Sequence, residues 1–273
     1  MAVKYAYLDS CNRQVDKLGG AVLHLAIDFY RFLAFIWSLT MALLFLRWVR
    51  RPAVMFVLVR QIYFTGVQGL VWVMPISIGA GVLIVYNIVL FAKNMGDLTI
   101  IRSLTEYVVL LELGPLLISL LILVRSGVAV ASEIGHMHIR REHVLLKSLG
   151  INPAEYLFLP RVLAFGLSGI IHAFIFVNLS IWLAGLLLLW THAIDFSKYL
   201  FEIREAIGFS TLLIMAVKSL VYPMLCCIAL LFHSSQVGHN PHMVPVRTAH
   251  GVMGALTSIV IAEILISIVR HLL

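Results

Sequence analysis

Three ionisable side chains stand inside long apolar runs of this sequence: Glu112, Lys218 and Glu263. A charge at membrane depth costs about 3 kcal/mol on insertion scales, so each needs a cavity, a partner or a proton. Glu112 falls near the middle of its run, about two turns from the inner end. Two readings are open for it. It is a neutral acid bonded to a neighbouring backbone carbonyl, or it contacts a lipid headgroup or a gate between subunits. Lys218 and Glu263 are placed to pair if their runs are antiparallel neighbours, and a structural pair is the preferred reading. Asn87, His172 and Asn178 are expected to form helix–helix hydrogen bonds worth ~0.6 kcal/mol each. Trp72, Trp182 and Trp190 read as packing or interfacial belt residues, and His192 as interfacial.

Other chemistry is weakly supported. Eleven histidines suggest metal binding, and His136, His138 and His143 share one segment while His233, His239 and His242 share another. None completes a His box, and no metal site is expected. There is no HExxH, no Ser/His/Asp setting and no Gly-x-x-x-x-Gly-Lys phosphate loop, so this chain is not expected to hydrolyse ATP alone. Three cysteines are too few for a disulfide framework, and the adjacent Cys226 and Cys227 lie in an apolar run.

The elements that must hold these residues follow from composition. Of 273 residues, 62% are hydrophobic and 12% charged, against about 25% charged in a soluble domain. That excludes a soluble domain, a disordered chain and, despite a net charge of +7, a nucleic-acid module. An all-α polytopic membrane protein remains. Nearly charge-free runs occur at 32–46, 62–92, 103–124, 162–194, 206–232 and 248–269. The stretch 62–91 would extend about 45 Å as straight helix, too long for an upright span. Pro75, Gly79 and Gly81 in its middle predict a kinked or partly re-entrant helix. Residues 21–46 place His24, Asp28 and Arg31 on one face and Leu25, Phe29, Phe32 and Phe35 on another, which favours an interfacial helix over a span. Five spans follow. Residues 1–20 are polar and lack a cleavage pattern, so no cleaved leader is expected.

Positive charge orients the bundle. Thirteen Lys and Arg fall on one face and five on the other, which places the N-terminus inside and the C-terminus outside. The one substantial cytoplasmic segment is 125–161. Within it, apolar positions 139, 144, 145, 146 and 149 predict a short amphipathic helix over 139–149, ended by Gly150 with Pro153 beyond. Such a helix suits a contact that passes force from a soluble motor; an ordinary headgroup-level surface helix is the alternative.

Several segments carry a resemblance. RQIYFTGVQGL at 60–70, ELGP at 112–115, RSGVAVASEIGHM at 125–137, Leu149–Pro153 with Pro160-Arg161, Lys218-Ser219 and the stretch from Val244 to Glu263 follow one another in order. Together they resemble the MlaE/YrbE family, permease subunits of lipid-transporting ABC systems that work with MCE-domain proteins. The resemblance covers roughly 55–273, leaving 1–54 as an N-terminal tail and interfacial elbow helix.

It implies a homodimer, a cytoplasmic ABC ATPase dimer that binds the ATP and Mg, an extracytoplasmic MCE protein, expected to be hexameric, and a possible small STAS-type subunit. The site is the bacterial inner membrane, with lipid as cargo and no cofactor in this chain. The alternative is a non-transporting scaffold that anchors an MCE ring. The short loop helix becomes the coupling helix, with Glu133, Met137, Arg141, Glu142 and Gly150 at the ATPase contact. Arg141-Glu142-His143-Val144 is more basic than the family pattern. The lipid cavity is expected at the dimer interface, open outward, lined by Ile84, Asn87 and Ile88 from the first span and Leu111, Glu112 and Pro115 from the second. The family commonly has Arg before this Glu. Here Leu111 stands there, so Glu112 is expected to be unpaired and neutral.

Overall fold

The computed structural model describes residues 27, 30–44, 51–191, 194–238 and 240–272. Among them the chain is helical and contains no strand. The order is α1 (Tyr30–Leu44), α2 (Pro52–Met95), α3 (Thr99–Ile139), α4 (Glu142–Ser148), α5 (Ala154–Thr191), α6 (Phe196–Ala206), α7 (Phe209–Ser234) and α8 (Met243–Leu272). Five of these, α2, α3, α5, α7 and α8, are long and apolar enough to cross a membrane. The protein is an all-α polytopic membrane protein, and an odd number of spans puts Pro52 and Arg270 at opposite ends of the bundle.

The fifteen residues of α1 reach only about 22 Å, short of a ~30 Å hydrocarbon core. Its aromatic face docks on the bundle: Phe32 and Phe35 meet Phe232 of α7 with ring centroids 5.1 and 5.9 Å apart, and Phe35 meets Phe158 of α5 at 5.4 Å. Phe32 and Phe35 thus do the work expected of the apolar stripe. His24, Asp28 and Phe29 lie outside the described residues, as does His192.

The first span is continuous helix, without re-entry. Its excess length is taken up by two wide turns with i→i+5 spacing, at Tyr63–Val67 and Ser77–Gly81, the second just past Pro75. Such turns release carbonyls from the regular ladder. In the first, the Phe64 carbonyl accepts from the Arg125 guanidinium, which also lies 4.5 Å over the Phe64 ring and donates to Gln68 Oε1 at 3.2 Å. The Gly66 carbonyl is hydrogen-bonded to His172 Nε2 at 2.8 Å. His172 is therefore a cross-helix contact, as its sequence position suggested. Asn87 and Asn178 are not: each amide donates to its own helix, to Leu83 O at 2.7 Å and Phe174 O at 2.8 Å. A short polar side chain such as asparagine on a helix surface reaches its own carbonyl four residues back more readily than a neighbouring helix.

Helix α5 is the centre of the bundle and packs on α2, α3 and α7. Small residues bring the backbones together. A Cβ at Gly169 would overlap the Ser219 carbonyl of α7. Trp72, Trp182 and Trp190 are all exposed.

The segment 125–161 is almost wholly helical. Helix α3 runs on to Ile139, past the expected end of its span, and α5 begins at Ala154. The short helix therefore starts at Glu142, later than the expected 139. The reversal falls on Arg141, whose φ of 58° is left-handed. The reversal brings the His138 and His143 rings into a parallel stack with centroids 3.8 Å apart. Gly150 ends the helix as expected: φ is 73°, its N–H donates to Lys147 O at 3.0 Å, and Ile151 N–H donates to Leu146 O at 2.9 Å. This is a Schellman closure, and only the residue without Cβ adopts it freely.

Candidate functional site

Three spans converge on one buried ammonium. Lys218 of α7 is 1% exposed and spends all three of its N–H donors. They go to the Leu111 carbonyl at 2.9 Å, Glu112 Oε2 at 3.2 Å and Glu263 Oε1 at 2.6 Å. Tyr222, one turn along α7, donates its hydroxyl to Glu263 Oε2. Arg270 reaches toward Glu112 Oε1 at 3.9 Å and lies 4.9 Å over the Tyr107 ring. Two acids and two bases therefore balance within the bundle.

The local sequence explains the geometry. Pro115 has no N–H to return to the carbonyl four residues back, which is that of Leu111. The Leu111 carbonyl is thus available to Lys218. Gly114 beside it is buried, and a Cβ there would come within 2.7 Å of Val109 O. The ELGP segment is a device that presents one carboxylate and one free carbonyl to the same ammonium.

This corrects the expectation that Glu112 is unpaired. Its partners come from α7 and α8, more than a hundred residues away in sequence, so inspection of position 111 could not find them. Glu112 lies about a third of the way along α3 from Thr99, on the Arg270 side of the bundle, far from the Ile139 end. Lys218 and Glu263 do pair.

The other residues expected at a lipid cavity divide by burial. Ile88, Leu111 and Pro115 are buried inside the chain, Ile84 is half-buried against the core, and Asn87 is exposed. Glu112 remains 34% exposed on its side chain. Residues 105–113 pack against the second half of α2, so both groups border one region of the bundle.

At the other end, Glu133 of α3 pairs with Arg161 of α5 at 3.0 Å, and Arg161 also donates to Leu157 O at 2.6 Å. Met137 lines the same cavity of about 370 Å³, together with Arg60 and Gln61. Arg51 at the start of α2 is tied to Glu155 at 3.1 Å. Arg141, Glu142 and Gly150 lie apart from this cavity, on the reversal and on α4. Helix α4 and its C-cap expose Val144, Leu145 and Leu149, and Glu142 meets Arg140 at 3.8 Å. Burial, with Lys147 close by, holds the His143 imidazole below its ordinary range. Cys226 and Cys227 are buried and free. Among the described residues no three metal-ligating side chains cluster.

The fold, with its buried charge network, is that of a multi-pass membrane protein. The family profile described as Permease MlaE matches residues 58–269, and the chain belongs to that family. Among curated relatives it is 31% identical over 121 residues to a Rickettsia felis protein named "Probable ABC transporter permease protein", covering 42% of this chain and 45% of that one. It is 24% identical over 153 residues to the "Intermembrane phospholipid transport system permease protein MlaE" of Haemophilus influenzae, covering 56% and 59%. The matched stretches span about half the length of these relatives.

Proposed function

We propose that this chain is the membrane-spanning permease of an ABC transporter that moves phospholipid or a related lipid between the inner membrane and an extracytoplasmic MCE protein. The single observation that carries the reading is the exposure of Glu112. A carboxylate one-third open at membrane depth is not stable against acyl chains. It requires a hydrated cavity or a second protomer. A two-fold dimer about this face supplies both, and two copies of the network then border one slot with Ile84 and Asn87 in its walls and the buried Ile88, Leu111 and Pro115 packed behind them.

The opposite end supports the motor contact. Val144, Leu145 and Leu149 are exposed on a short helix beyond the spans, where water disfavours them, and a groove in a cytoplasmic ATPase would cover them. Glu133, Met137, Arg141, Glu142 and Gly150 set the pose of that helix. ATP and Mg belong to the ATPase dimer, a small STAS-type subunit accompanies it, and the N-terminus is cytoplasmic with the C-terminus outside.

The slot is tested with Ile84→Trp in the purified complex, by native mass spectrometry and lipid analysis. A lipid slot predicts an assembled dimer that has lost bound lipid and transport. A dimer that falls apart makes the position a packing seam, and normal transport removes the slot.

A further inference from the structure

We propose that each protomer holds a second lipid site, distinct from the proposed interface slot and behind the charge network that borders it, in a cavity of about 500 Å³ beneath α6. Its occupant is a glycerophospholipid whose acyl chain fills the cavity and whose phosphate rests on Arg204.

The cavity exists because α6 is pinned across α5 without filling the gap to α7. Asp195 caps α6 through the Ser197 N–H. Tyr199 is buried and donates its hydroxyl to the Ile181 carbonyl of α5 at 2.8 Å. Gly185 makes the crossing possible, since a Cβ there would press on Tyr199 and Phe196 at 3.0 and 3.1 Å. The space left is walled by Phe174, Val177, Ile181, Phe196, Ile203 and Leu212. Its volume falls in the ~300–1,000 Å³ range of ligand pockets, and it is too confined for a partner helix ~10 Å across.

Polar groups stand at chosen points of this apolar slot. Asn178 lines it from α5, its amide turned to its own helix. Arg204 lines it from α6 and makes no ion pair among the described residues, whereas its neighbour Glu205 engages Arg102 at 3.6 Å. The exposed Trp182 beside the cavity fits a headgroup level. An uncommitted guanidinium at that level, over a greasy slot, matches a phosphate above an acyl chain. The floor is shared with the charge network: Leu110 precedes the Leu111 carbonyl that holds Lys218, and Met215 lies one turn before Lys218 on α7.

The test uses the intact complex in nanodiscs containing phosphatidylglycerol with a photoreactive acyl chain, followed by mass spectrometry of labelled peptides. Labelling should concentrate on 174–185 and 196–215, above the exposed α8 face from Val260 to Ile268. Arg204→Glu should lower it about tenfold, the loss of a headgroup contact near ~1.4 kcal/mol, and Arg204→Lys should retain most of it. Ile203→Trp should abolish it by filling the cavity. Persistence in the Ile84→Trp complex separates the site from the interface slot, whether or not that slot exists. Labelling equal to the α8 face and indifferent to Arg204→Glu would mean annular lipid and overturn the proposal. So would labelling lost in Ile84→Trp, or labelling that emerges only after a partner protein is stripped away.

Discussion

Replacing Lys218 by Met keeps the length and volume of the side chain while removing its charge and three donors. In the native bundle those donors hold the Leu111 carbonyl, Glu112 and Glu263. Removing one partner of a buried ion pair costs about 3–5 kcal/mol. Glu112 and Glu263 are 34% and 21% exposed, so water offsets part of the loss and the low end, about 3 kcal/mol, applies. At roughly 2–4 °C per kcal/mol for a chain of this size, the unfolding midpoint falls by about 6–12 °C. Glu263→Gln should cost less, because Lys218 keeps Glu112 and the Leu111 carbonyl. The double variant should cost less than the sum, with a coupling of about 1–2 kcal/mol. Tryptophan-fluorescence melts of the four proteins in one detergent measure the cycle. A Lys218→Met midpoint within about 2 °C of the parent, with the two changes simply additive, would refute the network as an energetic unit.

Three further outcomes follow from the structure. Gly169→Ala should separate α5 from α7, since the new Cβ meets a backbone carbonyl that cannot rotate away; overpacking of this kind costs about 1–3 kcal/mol and is read from the same melts. Glu142→Lys should leave the melt within ~0.5 kcal/mol of the parent, because its ion pair with Arg140 is exposed, yet abolish copurification of the ATPase; normal assembly and transport would remove α4 from the coupling role. His143 is held below its ordinary value near 6.5, so the unfolded loop binds a proton more readily than the folded one. The stability of the α3–α4 reversal is therefore full above that value and lost as pH falls below it. Hydrogen-exchange protection over 138–149, corrected for the intrinsic slowing of exchange at lower pH, should fall between pH 7.5 and 5.5, and replacing both stacked imidazoles, His138→Phe with His143→Phe, should flatten that dependence.

Much of this fold is legible in residue spacing. Apolar runs and Arg clusters mark five spans, Gly150 marks the end of α4, and Pro75 marks the disturbed middle of α2. Helix ends are less legible, because α3 carries on through Arg125 to Ile139: Arg125 folds back onto the Phe64 carbonyl and Gln68, so a basic residue that reads as a loop is part of the bundle. The reversal at Arg141 is equally hidden, since a left-handed arginine has no compositional signal. The site was half legible. Each charge in an apolar run was visible, and Pro115 signals a freed carbonyl, but the pairing of Glu112 with Lys218 is a tertiary fact. Asn178 shows the converse, a polar residue whose expected cross-helix bond closes on its own helix and leaves a cavity beside it.

The central proposal is that the network borders a path for lipid. Its most direct test is ATP-dependent transfer of labelled phospholipid between proteoliposomes carrying the assembled complex and its extracytoplasmic partner. The account predicts transfer that requires ATP, and its loss in a Lys218→Met complex that still assembles. A complex that assembles and hydrolyses ATP but moves no lipid, with or without Lys218, would contradict it and leave an anchoring scaffold.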